Sequence, residues 1–167
     1  MNDLVGSAYR SNDAKEFREG WIAGRFAAYR NVDAVRLLEE QHVTPTPDFE
    51  VRSEHTTWRY ETTEAFVPEV MRDSGMDIAV TSLGRICEVA QAASRKKAGK
   101  EYKACHGLVM YISSPAFAFQ PELRWPALQE ALLPAADNFE EVWVLRESFA
   151  LVWQNGAPVT GDIHTEF

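Results

Sequence analysis

Cysteine is scarce: Cys87 and Cys105 are the only two in 167 residues. Their separation fits neither a disulfide framework nor a zinc-ligand pair, and neither has a histidine beside it in sequence to suggest a nucleophile. The four histidines, His42, His55, His106 and His164, form no HxH or HExxH pattern, which argues against a histidine-held metal. GxGxxG and GxxxxGK[ST] are both missing, counting against dinucleotide and P-loop nucleotide binding. No apolar run approaches membrane-spanning length, and the start Met1-Asn2-Asp3-Leu4 lacks a charged-then-apolar leader pattern, so no membrane partner is expected and the setting reads as reducing and cytoplasmic. Cations are also in deficit, 17 Lys and Arg against 25 Asp and Glu for a net charge of −8. A broad phosphate-binding surface is disfavoured on that count. Repeats, low-complexity tracts and linkers are absent.

What remains is a chain with a core. Hydrophobic residues make up 46% and aromatics 11%, too much for general disorder. The length suits one domain over 1–167, with 160–167 expected to fray. The pattern predicts a helix over 14–29, with Asp13 as N-cap and Phe17, Trp21, Ile22, Phe26 and Ala28 on its apolar side. A second helical stretch over 33–41 is stopped at Thr44-Pro45-Thr46-Pro47. A short helix over 66–73, a long helix over 78–102 and a helix over 125–133 follow. Strands are predicted at 108–113, continuously apolar and hence buried on both faces, and at 141–145 and 149–154. This is an α/β sandwich with a mixed sheet.

The most informative segment is Asp48 to Ala65. Two strands flank a turn centred between Glu54 and His55, so that opposed residues sum to 109. Side chains alternate across a strand. Phe49, Val51, Trp58 and Tyr60 therefore share one face, and Asp48, Glu50, Arg59, Glu61 and Thr63 share the other. A one-residue slip would undo this, but only the chosen register keeps all four apolar residues together. Asp48 then faces Glu61 at about 5 Å between Cβ atoms. Two such carboxylates repel unless a cation lies between them, and a divalent metal is one candidate.

The long helix adds charge. Leu83, Ile86, Ala90, Ala93, Lys97 and Lys100 follow helical spacing along one face, so an apolar stripe ends in two lysines. Stems snorkelling to water are the plain reading. Arg95, Lys96, Lys97, Lys100 and Lys103 fall within nine residues, a local positive patch in an acidic protein.

Together, Pro47-Asp48 on one strand, Glu61-Thr62-Thr63 on the next, Lys96-Lys97 with Lys100 on the following helix, and the helix, hairpin, helix, strand order over 14–115 resemble the PD-(D/E)xK, or restriction-endonuclease-like, nuclease superfamily. The resemblance implies a restriction-endonuclease-like mixed sheet flanked by helices. It also implies one or two Mg²⁺ (or Mn²⁺) ions held by Asp48, Glu61 and the Thr62 carbonyl, with a lysine polarising the attacking water or the scissile phosphate. Phosphodiester hydrolysis needs an activated water and neutralised charge, which a hard divalent ion between carboxylates supplies; a fixed lysine adds to it. The lysine slot of the motif holds Thr63, so the resemblance assigns that role to Lys97 or Lys100 on the neighbouring helix. A further first-helix carboxylate often completes such sites, and Glu16 and Glu19 are the candidates, each more simply a solvated residue. Glu64 points away from Glu61.

The expected function is thus a divergent metal-dependent nuclease-like protein acting on DNA or RNA. The alternatives are an inactive protein of that fold serving as a binding or assembly subunit, with a homo-oligomer in view, and a small-molecule-binding α/β domain. The late aromatics, Phe117, Phe119, Trp125, Phe139, Trp143, Phe149 and Trp153, interleave with aliphatics rather than with Lys and Arg, which reads as core packing rather than base stacking.

Overall fold

The computed structural model describes residues 12–39, 43–66, 83–113, 121–146 and 148–160. Helix α1 spans Asn12–Arg30 and is followed by three strands, β1 (Ala34–Leu37), β2 (Phe49–Ser53) and β3 (Thr56–Phe66). Helix α2 (Leu83–Ala98) leads to β4 (Gly107–Ser113), and helices α3 (Pro121–Ala131) and α4 (Leu133–Ala136) lead to β5 (Glu141–Leu145), β6 (Phe149–Gln154) and the two-residue β7 (Ala157–Pro158). The seven strands form one sheet in sequence order. β4 runs parallel to β3 and β5, and the other neighbours are antiparallel. The mixed α/β sheet expected from the sequence is therefore present. Among the described residues, no helix is long and apolar enough to cross a membrane.

Alternation along the strands sorts the core into two layers. On one face Ile22 and Phe26 of α1 pack on Phe49, Val51, Tyr60 and Val109. On the other, Ile86 and Ala90 of α2 pack on Leu108, Met110 and Ile112. β4 thus buries alternate residues against opposite helix layers, as its unbroken apolar run predicts. The described late aromatics, Trp125, Phe139, Trp143, Phe149 and Trp153, are all buried; Phe117 and Phe119 lie outside the described residues.

Three expectations need correction. The predicted helix at 33–41 is strand β1. Helix α1 closes with Asn31 at φ 50°, and the Val32 and Asn31 amides bond back to the Ala27 and Ala28 carbonyls, a left-handed cap that turns the chain back along the sheet. Val35 and Leu37 then alternate with Ala34 and Arg36, and pairing with β2 (Val35 opposite Val51, Leu37 opposite Phe49) overrides the weak helical pattern. Helix α1 starts at Asn12, so Asp13 lies inside it rather than capping it. Phe17, Trp21 and Ala28 are exposed, so the buried side is narrower than predicted and is carried by Ile22, Ala23 and Phe26.

Other boundaries shift. Phe66 ends β3 instead of opening a helix, and 67–73 lies outside the described residues. The long helix ends at Ala98, where Gly99 bonds back to Arg95, four residues short of the expected Tyr102; 78–82 is again outside. The helix expected over 125–133 begins at Pro121 and divides into α3 and α4. The tail 161–167 is not among the described residues.

Candidate functional site

The hairpin register is the predicted one from Phe49 to Ser53, but the expected opposition of Asp48 and Glu61 is not part of the ladder: the Asp48 N–H donates to the Tyr60 carbonyl at 2.9 Å. Phe49 opposes Tyr60, Glu50 opposes Arg59 and Val51 opposes Trp58, every pair summing to 109. On the charged face Glu50 takes Arg59 at 3.3 Å and Arg36 of β1 at 2.8 Å. The β2–β3 ladder stops after Phe49 and Tyr60, whereas β3 continues beside β4 to Phe66. A notch opens there on the β2 side of β3, with Asp48 at its mouth.

Asp48 fills part of that notch. Its Oδ2 accepts both the Thr62 backbone N–H and the Thr62 hydroxyl, each at 2.7 Å. A strand residue projects its N–H and C=O from the same edge, so the Thr62 carbonyl also faces the notch. The next side chain, Glu61, is buried with 4% of its side chain exposed. Its Oε1 accepts hydrogen bonds from the Lys97 ammonium and, at 2.9 Å, from the Tyr102 hydroxyl. Its Oε2 is buried and has no hydrogen-bond partner among the described residues. An unsatisfied carboxylate oxygen in such surroundings is costly and marks where a ligand could bind.

Lys97 reaches Glu61 because α2 is pinned one turn earlier: the buried Ser94 hydroxyl accepts the Ala135 N–H at 2.9 Å. The stripe therefore ends as the spacing predicts, with Ile86 and Ala90 buried and Lys97 turned to the carboxylate rather than snorkelling away. Lys96 is exposed. Lys100 lies beyond the helix, exposed, and lines the cleft with Lys97. The cleft has a volume of about 630 Å³, and Asp48, Glu61 and Tyr102 also line it.

Between the two first-helix candidates the structure distinguishes clearly. Both line the cleft, but Glu16 is exposed while Glu19 is half-buried. Burial, with the Asp48 and Glu61 carboxylates, pushes Glu19 up to about 7, against the pull of Lys15 3.5 Å away. The unfolded chain loses this proton near 4.5, the folded chain near 7. Stability therefore falls as pH rises through that window and is lowest above it. We expect Glu19→Gln to be more stable than the native protein by about 1–2 kcal/mol at pH 8, the full shift being discounted for solvent contact, and equal to it at pH 4. Urea titrations at both values check this; a variant no more stable at pH 8 would count against it.

Burial and Asp48 likewise push Glu61 up, opposed by Lys97 and Tyr102. Burial and Glu61 raise the Tyr102 phenol, which stays protonated and donates. Tyr102 was not foreseen from sequence; its only signal is an aromatic placed just after the helix break at Gly99. Glu64 pairs with Arg18 of α1. Burial and Glu61 push the Cys105 thiol up to about 12, which favours its protonated form, and both cysteines are free thiols.

The donor set is hard oxygen, which suits Mg²⁺ or Mn²⁺. Asp48 and Glu61 both line the cleft with carboxylate oxygens. Among the described residues, no three His, Cys, Asp or Glu side chains are gathered closely enough to hold a metal.

A second polar centre, unforeseen, lies on the α1 face. Glu141 Oε2 accepts from Trp143 Nε1 at 2.7 Å, Tyr60 Oη at 2.9 Å and Arg30 Nη1 at 3.2 Å. His106 lies 3.3 Å from Oε1. Gly107 is required beside it, since a Cβ there would come within 2.7 Å of the Tyr60 ring and 2.9 Å of the Glu141 carbonyl. Both carboxylate oxygens are engaged by side chains of this core, the arrangement of a structural hub.

The chain matches no family model, and comparisons with curated proteins and with solved structures return no match either.

Proposed function

We propose that this protein is a divergent metal-dependent nuclease-like enzyme acting on nucleic-acid phosphodiesters, on a restriction-endonuclease-like fold. The observation that carries the reading is the meeting of Asp48, Glu61 and Lys97 in one cleft, with Glu61 Oε2 buried and unpartnered among the described residues. The retained helix, hairpin, helix, strand order supports it. A divalent ion held by Asp48, Glu61 and the Thr62 carbonyl would supply an activated water and neutralise charge on phosphate.

The protein's own groups have distinct tasks. Thr62 orients Asp48 through two hydrogen bonds. Lys97 and Tyr102 hold Glu61 by one oxygen, which would leave the other to serve as a ligand to an ion. Lys100, on the cleft wall, offers a cation to the phosphate, where charge develops in the transition state. Glu19, near neutrality in its protonation, is placed to accept or return a proton at the same cleft. Thr63 cannot supply the motif's cation, and Lys97 takes that role.

Asp48→Asn keeps an acceptor for Thr62 while removing the charge. It is expected to lower Mn²⁺- or Mg²⁺-dependent cleavage of a labelled oligonucleotide by at least about 10²-fold, with an unchanged thermal melt. Undiminished cleavage by that variant rules the reading out.

The direct Lys97–Glu61 contact favours a second reading, a non-catalytic binding or assembly subunit, because the lysine already balances Glu61. That reading expects a defined complex or homo-oligomer and no metal-dependent turnover in the native protein.

A further inference from the structure

The cleft lining mixes two kinds of group. Carboxylates and lysines, among them Asp48, Glu61, Lys97 and Lys100, share it with an apolar set, Leu37, Leu38, Pro45 and Pro47, that Glu39 and Thr46 interrupt. Leu37 remains 44% exposed, so an apolar surface is accessible at the cleft. A duplex docked by its backbone presents sugars and phosphates, and its base faces are stacked inside. An unpaired nucleotide differs: it carries an anionic phosphate and an apolar base face together.

Beyond the cleft, the cations are unevenly engaged. Lys15, Arg18, Arg30, Arg36, Arg59 and Arg85 each pair with a carboxylate. Arg95, Lys96, Lys100 and Lys103 are exposed, and no side-chain hydrogen bond or ion pair engages them among the described residues. Arg95 and Lys96 also complement the C-terminal dipole of α2, but Lys100 and Lys103 lie past its end and have no such role. One carboxylate, the exposed Glu101, interrupts the stretch. Lys100 belongs to both the stretch and the cleft lining. In a protein of net charge −8, four exposed cations within nine residues, one of them at the cleft, are suited to meet phosphates.

Resting on the phosphodiesterase reading above, we propose that the strand this cleft receives is unpaired: a single-stranded nucleic acid segment whose phosphates follow Lys100, Lys96 and Lys103 out of the cleft while one base lies against the Leu37–Leu38–Pro45–Pro47 wall. Backbone tracking by a basic groove, with bases held on an apolar surface, is how single strands are bound without sequence readout.

The test is fluorescence anisotropy with a labelled single strand of about 12 nucleotides and its blunt duplex, in Ca²⁺, from about 50 to 200 mM salt. The single strand is expected to bind at least about tenfold more tightly than the duplex. Lys96→Glu/Lys103→Glu, at exposed positions, should weaken it about tenfold and flatten the log–log salt dependence by about 1.4, which is about 0.7 for each phosphate no longer neutralised. Leu37→Asp should weaken single-strand binding and bring it closer to the duplex value. Circular dichroism melts confirm that the variants fold. Equal or tighter duplex binding overturns this inference, as does a double variant with unaltered affinity and salt slope. If Asp48-dependent cleavage persists in either case, the phosphodiesterase reading survives; if neither nucleic acid binds and none is cleaved, both fall.

Discussion

Truncating Glu141 to alanine is expected to cost about 3–5 kcal/mol at pH 7, the range for removing one member of a buried charged network. The side chain is 9% exposed and ties three elements together: Arg30 at the end of α1, Tyr60 on β3 and Trp143 on β5. Without it the Tyr60 hydroxyl and Trp143 indole N–H lose a buried acceptor, at about 1–3 kcal/mol for each group left unmatched. Arg30 would remain above the Phe26, Trp58 and Trp143 rings, 5.4–5.8 Å from their centroids, with no carboxylate to balance it. Burial alone would raise Glu141, but the Trp143 and Tyr60 hydrogen bonds with Arg30 and His106 outweigh it and hold the carboxyl below its ordinary 4.5. The sign follows: a depressed folded pKa contributes stability above about 4.5, and that stability is lost as pH falls through the folded value. The gap between native and variant proteins should therefore narrow in acid. Urea denaturation at pH 7 and pH 3 measures it. A loss under about 1 kcal/mol at pH 7, or one as large at pH 3, would contradict a charged hub.

Replacing Lys97 by methionine should be comparably damaging, by about 3–5 kcal/mol at neutral pH. Glu61 would keep the Tyr102 hydrogen bond but lose the ammonium, leaving a buried carboxylate beside Asp48. Burial and Asp48 already push Glu61 up, and loss of the lysine moves it further the same way. Protonation then relieves the charge as pH falls, so the damage should be greatest at and above neutrality and shrink in acid. A double variant, Lys97→Met with Glu61→Gln, should recover most of the loss, since the two residues act on one interaction. If the single variant is as stable as the native protein at pH 8, the pair does not have the weight assigned to it.

Much of this was legible in the sequence because periodicity is a local property. The hairpin register followed from four apolar residues that only one alignment keeps on a single face. Lys97 was placed by counting turns from Ile86 and Ala90. β4 announced its double burial by never alternating. What escaped depended on partners distant in sequence. Residues 33–41 carry no pattern strong enough to resist the edge of β2, so a tertiary contact converted a predicted helix to a strand. Glu19 resembles any exposed helix glutamate until Asp48 and Glu61 are brought near it by the sheet. Glu141 gives no sign that Tyr60, 81 residues earlier, will supply its hydroxyl.

Asp48 has one more consequence, and it concerns how the molecule behaves in solution. Where β2 ends, a carboxylate occupies the amide that the next strand residue would have bonded, so a side chain seals the sheet margin in place of backbone. An open margin of this kind recruits strands from other molecules. Alanine at this position would unseal the Thr62 amide and invite self-association, so turbidity and sedimentation would change along with turnover. Asparagine keeps the seal. The side chain proposed for the chemistry is thus also expected to guard this stretch of β3, and an alanine variant that sediments as the native protein does would count against that.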